Sequence, residues 1–444
     1  MNREEFYRMR NDRSLRYARR VLDAERRIVI TADADYLETN AGQATVVVAA
    51  NLLSRMTPNV SFGFGDTRIQ PIPQDSPTSL HEFLLEQMKG VDPHGSFNVK
   101  RFGDDDYRVH AGPTGAPWVV HGSDWNAFVG ESPSPLAFPG TSNPFGGAFA
   151  AIMAAAKIFI DIFPADVAPV AVNLLKWTGE LAECGPLVNS RDSLGKLWFV
   201  GAGSVGSAIA YFLALAGVKF DATIFDGDSV KIENLDRSPI FRYDDVGESK
   251  AEVVAKFLRA RGVSATAEPA WLDQSEIWKQ RQQGDPDILI SAANERNVRY
   301  SIETLLPPVQ IYGTTGTNWQ ACVLRHIPPQ EPCSCCMFRP GPSAPTKCGG
   351  GVVEIPGDNG ELKQMDATLP FLSFAAGLMA AVEVVKLGTG IPARSNRVFF
   401  TPRADQIVYP LPQQRREKCL CMTRSSAAHR SMVSGSKYAN LSRF

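Results

Sequence analysis

Hydrophobic and polar positions follow two alternating patterns along the first 163 residues. The runs "RRIVIT" (26–31) and "VSFGFG" (60–65) are short, apolar and rich in β-branched or aromatic residues, which is typical of strands. The segments "GQATVVVAANLLSRM" (42–56) and "SLHEFLLEQM" (79–88) have helical length and an apolar face. Strand-like and helix-like stretches in turn predict an α/β layer fold for this half of the chain.

The segment after the first predicted strand lacks the glycine-rich motif of nucleotide-binding α/β folds. A nucleotide-binding fold carries a G-x-G-x-x-G turn at this point, but this sequence reads "ADADYLETNAG" (32–42). We therefore interpret residues 1–165 as a degenerate nucleotide-fold half without a phosphate loop. An unrelated α/β domain is the alternative that the pattern leaves open.

A second alternating pattern follows a proline-bearing connection, which we assign to residues 166–194. It opens with "LWFVGAGSVGSAIAYFLALAG" (197–217), a strand, a glycine-rich turn and a helix. Strands and helices continue from there, so residues 195–421 are predicted to form an α/β domain with a mainly parallel sheet. Residues 422–444 are small and polar and are expected to be a mobile tail.

Composition and charge disfavour several classes of partner. The 444 residues are 44% hydrophobic and 21% charged with a net charge of -1, so nothing favours nucleic acid or an anionic membrane. The first residues are too polar for a signal peptide. The apolar stretches 145–163 and 369–387 contain charges, which favours buried helices over membrane spans. We expect a cytoplasmic protein.

The cysteines are concentrated late in the sequence. None of the eight precedes Cys184, and six lie within residues 333–421. In a chain without an export signal, this crowding favours metal or thiol chemistry over disulfides. Cys184 and Cys322 stand in apolar surroundings and are expected to be unreactive.

The glycine-rich turn has the spacing of a nucleotide-binding site. Gly201, Gly203 and Gly206 would allow a tight turn, a close approach to phosphate and close packing of the helix on the strand. Asp226 ends the next predicted strand, where a carboxylate can accept hydrogen bonds from ribose hydroxyls. We therefore predict a nucleotide site, and glycines needed only for packing are the alternative.

The residues after Asp226 indicate which kind of nucleotide enzyme this is. "DGDSVKIENLDRS" (226–238) followed by "VGESKAEVV" (246–254) resembles the adenylation motif of the ThiF/MoeB/ubiquitin-activating-enzyme superfamily. In that superfamily an aspartate binds the ribose, while an N-x-x-R motif and a later lysine contact the triphosphate. The resemblance implies an ATP site that contains Asp226, Asp228, Asn234, Arg237 and Lys250.

These residue types suit adenylation better than hydride transfer. Attack of a carboxylate on an α-phosphorus brings two anions together and releases pyrophosphate, so cationic side chains stabilise the reaction. Arg237 and Lys250 would supply that charge and are predicted catalytic residues. A dehydrogenase would need neither of them, which makes it the weakest alternative.

The resemblance continues through "DILISAANERNVRYSI" (287–302), where the superfamily holds magnesium on an aspartate. Asn294 stands at that position, and Ser291 stands at an earlier aspartate position. Asparagine can bind Mg²⁺ through its carbonyl oxygen but brings no charge, whereas Mg²⁺ prefers carboxylates and phosphates. The resemblance implies that Mg²⁺ binds together with ATP. Asn294 at the metal-binding position is a departure from the superfamily pattern.

Two cysteine pairs resemble the superfamily's zinc knuckle. Cys333 and Cys336 form the C-x-x-C of "EPCSCCMF", and Cys419 and Cys421 form a closer C-x-C pair. The resemblance implies one structural Zn²⁺ bound by four thiolates. Free thiols are the alternative, and Cys335 could replace a neighbour as a ligand.

Cys348 is the predicted acceptor thiol. The segment "TKCGGGVV" (346–353) resembles the superfamily's C-x-x-G-G-V sequence, which carries the acceptor cysteine in several members. The glycines would let that thiol reach a bound acyl adenylate. A bystander cysteine or an additional metal ligand is the alternative for Cys348.

The N-terminal segment "LRYARR" (15–20) resembles the opening of superfamily members, in which an arginine reaches across the dimer to the ATP phosphates. Arg19 takes that place, with Arg16 as its companion. The chain therefore resembles an inactive adenylation-like half, which donates the arginine, joined to an active half in one polypeptide. Association of two chains as a homodimer is left open.

The combined resemblance implies a bacterial-type ubiquitin-activating-like enzyme, similar to those of bacterial ubiquitin-like conjugation operons, some of which defend against phage. It would adenylate the C-terminal carboxylate of a small β-grasp protein, capture the acyl group on Cys348 and pass it to a conjugating enzyme. Activation of a sulfur carrier is one alternative, although those enzymes usually form homodimers of the second half alone. A non-catalytic nucleotide-binding scaffold is another.

Overall fold

A computed structural model provides the structure of most of the chain. The residues that it describes are 1–18, 21–22, 27–69, 79–103, 106–137, 143–160, 169–181, 185, 188, 193–280, 286–293, 296–305, 309–316, 318–328, 330–338, 352–356, 362–366, 368–390 and 395–423. Four predicted positions, Arg19, Cys184, Asn294 and Cys348, lie outside these ranges, as does most of the predicted tail.

The first half contains a seven-stranded sheet. Its strands are β1 (Ile28–Ala32), β2 (Asn59–Phe62), β3 (Ser96–Val99), β4 (Tyr107–Ala111), β5 (Trp118–Ser123), β6 (Asn126–Glu131) and β7 (Val170–Asn173). The spatial order is β3-β2-β1-β4-β5-β6-β7. The strands are parallel from β3 to β5, and β6 and β7 are antiparallel to their neighbours.

Six helices accompany this sheet in the described part of the chain. They are α1 (Arg3–Arg10), α2 (Asp12–Ala18), α3 (Ala34–Leu37), α4 (Asn40–Met56), α5 (Leu80–Val91) and α6 (Phe145–Ile160). Helix α4 begins after Thr39, whose hydroxyl oxygen accepts a hydrogen bond from the amide of Gly42 at 2.9 Å. Almost every residue of α4 is buried, as its apolar and small side chains on all faces require.

The second half contains an eight-stranded sheet and a separate hairpin. The strands are β8 (Ser193–Val200), β9 (Lys219–Phe225), β10 (Ser264–Glu268), β11 (Ile288–Ser291), β12 (Val309–Gly316), β13 (Gln320–His326), β14 (Val352–Pro356), β15 (Leu362–Asp366), β16 (Arg397–Phe400) and β17 (Val408–Pro410). The order of the large sheet is β10-β9-β8-β11-β12-β13-β16-β17, and β14 pairs with β15. It is parallel from β10 to β12 and antiparallel beyond β12.

The helices of the second half connect these strands. They are α7 (Ser204–Leu215), α8 (Lys250–Arg259), α9 (Glu276–Gln280), α10 (Arg296–Leu305), α11 (Ser334–Met337), α12 (Pro370–Gly388) and α13 (Leu420–Thr423). Two single 3₁₀ turns, Ile232–Asn234 and Tyr243–Asp245, lie between β9 and α8.

The two sheets have the same parallel core. In each, the first five strands stand in the order third, second, first, fourth, fifth, which is the arrangement of doubly wound nucleotide folds. The predicted fold class, a Rossmann-like α/β domain with a mainly parallel sheet preceded by another α/β half, is confirmed, and the sheet of the first half is mainly parallel as well. Strand β7 falls within the predicted connection 166–194, so the first sheet extends beyond residue 165.

Helix α12 packs between the layers of the two halves. It contacts α7 and β12 of the second half, and α6 and α4 of the first. Among the described residues, it is the one helix long and apolar enough to cross a membrane, but 94% of its apolar window is buried inside the protein. Its hydrophobic length is therefore accounted for by core packing, as expected from the sequence.

A buried arginine joins the halves near the N-x-x-R segment. Arg55, on α4, donates hydrogen bonds to the carbonyl oxygens of Leu235 at 2.6 Å, Pro239 at 2.9 Å and Phe241 at 3.2 Å. Its Nε donates to the Oδ1 atom of Asn51 at 2.8 Å. Burial lowers the pKa of Arg55 to about 9, and its N–H groups are satisfied largely by backbone carbonyls.

Arg55→Ala is expected to lower the free energy of unfolding by about 3–5 kcal/mol, because it leaves buried carbonyl oxygens without hydrogen-bond donors. The measurement is urea denaturation followed by circular dichroism. Arg16→Ala is the matched control: Arg16 is exposed and bonds Asp12 one turn away at 2.7 Å, so its loss should cost less than about 1 kcal/mol. Similar losses for the two variants would contradict this account.

Candidate functional site

A cleft opens at the carboxyl ends of β8, β9 and β11. The connections diverge between β8 and β11, and open α/β sheets bind ligands outside the carboxyl ends of their strands at such a point. The polar residues and glycines that line the cleft are Arg13, Gly201, Gly203, Ser204, Asp226, Asp228, Lys231, Glu233, Asn234, Arg237, Lys250, Thr315 and Thr368. The cleft therefore brings together most of the predicted nucleotide-site residues that the structure describes.

Three glycines shape the turn between β8 and α7. Gly201 has a φ of +94°, and a Cβ on Gly206 would lie 1.9 Å from the carbonyl oxygen of Gly201. A side chain at either position would distort the turn. A Cβ on Gly203 would meet no atom within 4 Å, and Gly203 is the N-cap of α7. The start of α7 thus opens onto the cleft, where its amide groups can receive an anion.

Asp226 ties strand β9 to the glycine turn. One carboxylate oxygen accepts a hydrogen bond from the amide of Ala202 at 2.7 Å, and the other accepts from the amide of Asp228 at 2.9 Å. Burial raises the pKa of Asp226, while the nearby Lys250 ammonium opposes that shift. Asp226 is therefore a fixed acceptor whose remaining lone pairs can bind hydroxyl groups in the cleft.

Lys250 and Asp228 form an ion pair beside Asp226. The Lys250 Nζ atom lies 2.8 Å from the Oδ2 atom of Asp228, whose side chain is 46% exposed. Lys250 is the first residue of α8 and is itself buried. An anionic ligand in the cleft would compete with Asp228 for the Lys250 ammonium.

The N-x-x-R segment has its own hydrogen-bond framework. Asn234 ends a 3₁₀ turn, and its Oδ1 atom accepts a hydrogen bond from the amide of Lys231 at 3.0 Å. The Arg237 guanidinium donates to the Asp236 carboxylate at 2.5 Å and to the carbonyl oxygen of Glu233. Burial lowers the pKa of Arg237, and the Asp236 carboxylate opposes that shift. Both predicted residues are thus held in place at the cleft.

The first half contributes a cation that the sequence motifs did not identify. Arg13, on α2, lines the cleft, and its Nη2 atom is 2.8 Å from the Oε1 atom of Glu233. Arg16 bonds Asp12 and is not among the described residues that line the cleft. The predicted role of Arg19 stays a prediction. No sequence motif marks Arg13, because its place at the cleft depends on the packing of α2 against the second half.

Two neighbours of Arg13 fix α2 against the second half. The Ser14 hydroxyl donates a hydrogen bond to the Oδ2 atom of Asp236 at 3.2 Å. The Tyr17 hydroxyl donates to the carbonyl oxygen of Gly316 at 3.2 Å and accepts from the amide of Trp319 at 3.0 Å. Arg13 therefore reaches the cleft from a docked helix.

The corresponding edge of the first sheet has different chemistry. Asp33 follows β1 there, and its Oδ2 atom accepts a hydrogen bond from the amide of Thr114 at 3.0 Å. Its Oδ1 atom lies 3.0 Å from the Nε2 atom of His110. Asp33 brings a negative charge to this edge, which would repel a phosphate group. The interpretation of the first half as a degenerate nucleotide fold stays a prediction.

The four predicted zinc ligands lie together. The sulfur atoms of Cys333 and Cys419 are 3.4 Å apart, and those of Cys336 and Cys421 are 3.6 Å apart. All four sulfur atoms lie within 4.8 Å of one another. Four thiolates around a tetrahedral Zn²⁺ have Zn–S distances of about 2.3 Å, which requires sulfur separations of this size. The cluster could therefore bind one zinc ion.

Residues around this cluster hold its two segments together. Cys335 is buried beside the four sulfur atoms but does not belong to the group that could share one ion. The amide of Arg416 donates a hydrogen bond to the Cys336 sulfur at 3.5 Å. The carboxylate of Glu303, a residue that the sequence motifs missed, accepts from the amide of Ser334 at 2.7 Å. These contacts fix the backbone at Ser334 and give the Cys336 sulfur a hydrogen-bond donor.

The second half of the sequence identifies the protein family. Residues 191–421 match the ThiF family. The chain belongs to this family. The match spans the glycine turn, the N-x-x-R segment and both cysteine pairs, so the superfamily predicted from the motifs is confirmed.

Individual ThiF-family relatives match different shares of the chain. The adenylyltransferase and sulfurtransferase MOCS3 of Caenorhabditis briggsae is 30% identical over 38% of this chain and 43% of its own length. The SAMP-activating enzyme E1 of Haloferax volcanii is 30% identical over 53% of this chain and 83% of its own length. Among solved structures, E. coli MccB superposes with a TM-score of 0.38 at 18% identity, covering 52% of this chain and 65% of its own.

The cysteine cluster is expected to hold about one zinc ion per chain. Cys333→Ser should remove the metal and lower the free energy of unfolding by several kcal/mol, since zinc binding contributes directly to folding free energy. Plasma mass spectrometry and urea denaturation would measure the two effects. Cys335→Ser is the matched control and should keep the metal. Loss of zinc in the Cys335 variant alone would mean that Cys335 is a ligand.

Proposed function

We propose that this protein activates the C-terminal carboxylate of a ubiquitin-like protein by adenylation. The cleft carries the proposal: an open helix start, a fixed carboxylate and four cationic side chains meet at the switch point of a ThiF-family sheet. These are the groups that an ATP-dependent acyl activation requires. The names of the MOCS3 and SAMP-activating relatives are consistent with this class of reaction.

Each group has a role that follows from its chemistry. The amides at the start of α7 and the Lys250 ammonium would bind phosphate oxygens, and Asp226 would accept hydrogen bonds from the ribose hydroxyls. The substrate carboxylate oxygen would attack the α-phosphorus as the bond to the pyrophosphate oxygen breaks. Arg237 and Arg13 line the cleft, and their role in the proposal is to stabilise the charge of the departing pyrophosphate.

Bound Mg²⁺ would supply positive charge that offsets the charge of the phosphates. Asn294, its predicted protein ligand, lies outside the described residues. The carboxylates of Asp226 and Asp228 stand at the cleft and offer oxygen donors of the type that Mg²⁺ prefers. The metal stays part of the proposal.

The acyl group would then pass from the adenylate to Cys348 as a thioester. The thiolate would attack the acyl carbon, and AMP would leave. Support for this step comes from the sequence, where Cys348 stands in the glycine-rich "TKCGGGVV" segment. Delivery to a conjugating enzyme in the cytoplasm, as in antiphage conjugation systems, completes the proposal.

Activation of a sulfur carrier is the second candidate. It is favoured by the relative named as an adenylyltransferase and sulfurtransferase, of which this chain spans 43%. The first half of this chain disfavours that candidate, because sulfur-carrier enzymes usually form homodimers of the second half alone. Here α2 and α4 of the same chain supply the contacts that border the cleft. The hypothesis of a non-catalytic nucleotide-binding scaffold is less favoured, because the cations at the cleft are groups that stabilise developing charge in a reaction.

ATP–pyrophosphate exchange in the presence of candidate β-grasp carriers tests the proposed reaction. Lys250→Ala is expected to lower exchange by about 100- to 1,000-fold, because it removes a cation that stabilises developing charge. Asp226→Ala should abolish ATP binding by removing the ribose contacts. Lys256→Ala is the matched control, since Lys256 is exposed on the same helix and should leave exchange unchanged. ATP binding without carrier-dependent exchange in the unaltered protein would favour the scaffold.

Cys348→Ala separates the two chemical steps. It should exchange pyrophosphate normally but form no carrier adduct on a non-reducing gel, because only the second step requires a thiolate. The unaltered protein should form an adduct that a thiol reductant removes. Normal adduct formation by Cys348→Ala would identify another acceptor. Rapid exchange without any adduct in the unaltered protein would favour direct transfer to a downstream thiol, as in the sulfur-carrier alternative.

A further inference from the structure

One aromatic side chain of the cleft is exposed. Trp271 lines the cleft with 45% of its surface accessible to water, whereas the other six tryptophans of the chain are buried. An indole ring exposed in a polar cleft gains free energy when a flat apolar group covers it. Trp271 is therefore a candidate contact for a ligand ring.

The backbone holds this tryptophan in place. Its carbonyl oxygen accepts hydrogen bonds from the amides of Gln274 at 2.9 Å and Ser275 at 3.1 Å. The next residue, Leu272, is buried in a cluster with Phe225 and Trp278. The position of the indole is thus set by an anchored turn rather than by an extended loop.

Gly227 allows the indole to lie beside Asp226. A Cβ on Gly227 would lie 2.8 Å from the Cε2 atom of Trp271, so any larger residue would displace the ring. Gly227 directly follows Asp226, whose carboxylate is fixed at the cleft. The indole therefore packs on the backbone next to the predicted ribose contact.

The order of the strands gives the direction in which a nucleotide would lie. Strands β8, β9 and β10 are adjacent and parallel, with Val200 opposite Phe225 and Phe225 opposite Glu268. The glycine turn follows β8, Asp226 follows β9, and Trp271 comes three residues after β10. Neighbouring strands are about 4.8 Å apart, so phosphate, ribose and base would occupy successive positions along one edge.

We propose that the Trp271 indole is the stacking platform for the purine base of the nucleotide. This inference rests on the proposed function, because it takes ATP as the ligand. It adds a residue that binds the base, which neither the glycine turn nor the N-x-x-R segment does. Stacking on an aromatic ring suits a nucleobase because every base has an accessible π-face.

Calorimetric titration with two ligands tests the platform. The ligands are ATP and ribose 5-triphosphate, which shares the ribose and phosphates but lacks the base. Trp271→Ala should raise the Kd for ATP by about 10- to 100-fold and leave the Kd for ribose 5-triphosphate within about twofold. Trp271→Phe keeps an aromatic face and should stay within about threefold of the unaltered protein for ATP.

The control is Tyr300→Ala, which removes an exposed aromatic residue that is not among the described residues lining the cleft. It should change neither Kd. An unchanged Kd for ATP in Trp271→Ala would overturn the platform, and so would equal weakening of both ligands. Carrier-dependent exchange is measured separately: its absence in a protein that binds ATP would refute the proposed reaction without affecting this inference. Failure of the unaltered protein to bind ATP would overturn both.

Discussion

The geometry of the cleft depends on a buried guanidinium group that belongs to the other half of the molecule. Only 1% of the surface of Arg55 is exposed to solvent, so its N–H groups must find acceptors inside the protein. The carbonyl oxygens of Leu235, Pro239 and Phe241 supply them. The loop that follows Asn234 is therefore restricted to the conformation in which its carbonyls converge on α4, and Arg237 within that loop has its position set by the first half.

The first half thus acts on the cleft, although Asp33 rather than a glycine-rich turn follows its own first strand. Helix α2 brings Arg13 to Glu233 and Ser14 to Asp236, while α4 holds the following backbone. The first half thereby serves as a packing partner for the loop that carries Arg237.

Three of the four cationic side chains that line the cleft form ion pairs within the protein. Lys250 faces Asp228, Arg13 faces Glu233, and Arg237 faces Asp236. Such pairing keeps cations oriented in a partly buried site where an isolated charge would be costly. A polyanionic ligand would therefore compete with carboxylates for these three cations. Asp228 and Glu233 are the more accessible of these carboxylates, whereas Asp236 is fully buried.

The sequence alone determined the features that depend on local spacing. The G-x-G-x-x-G turn, the acid at the end of the next strand, the N-x-x-R segment and the two cysteine pairs could all be identified, because each acts through neighbours a few residues away. Periodicity likewise gave two α/β halves. Whether the two cysteine pairs come together depends on tertiary packing, because Cys333 and Cys419 are 86 positions apart in the chain.

Arg13, Glu303 and Trp271 had no recognisable motif, since their roles arise from elements that only the folded core brings into contact. Strand β7 lies within the segment that the sequence analysis interpreted as a connection. The sequence pattern did not predict this strand, because it forms by pairing with the distant strand β6. The sequence by itself determined which local chemistry was present. The tertiary structure decided which side chains share the cleft, because burial and long-range hydrogen bonds fix their distances.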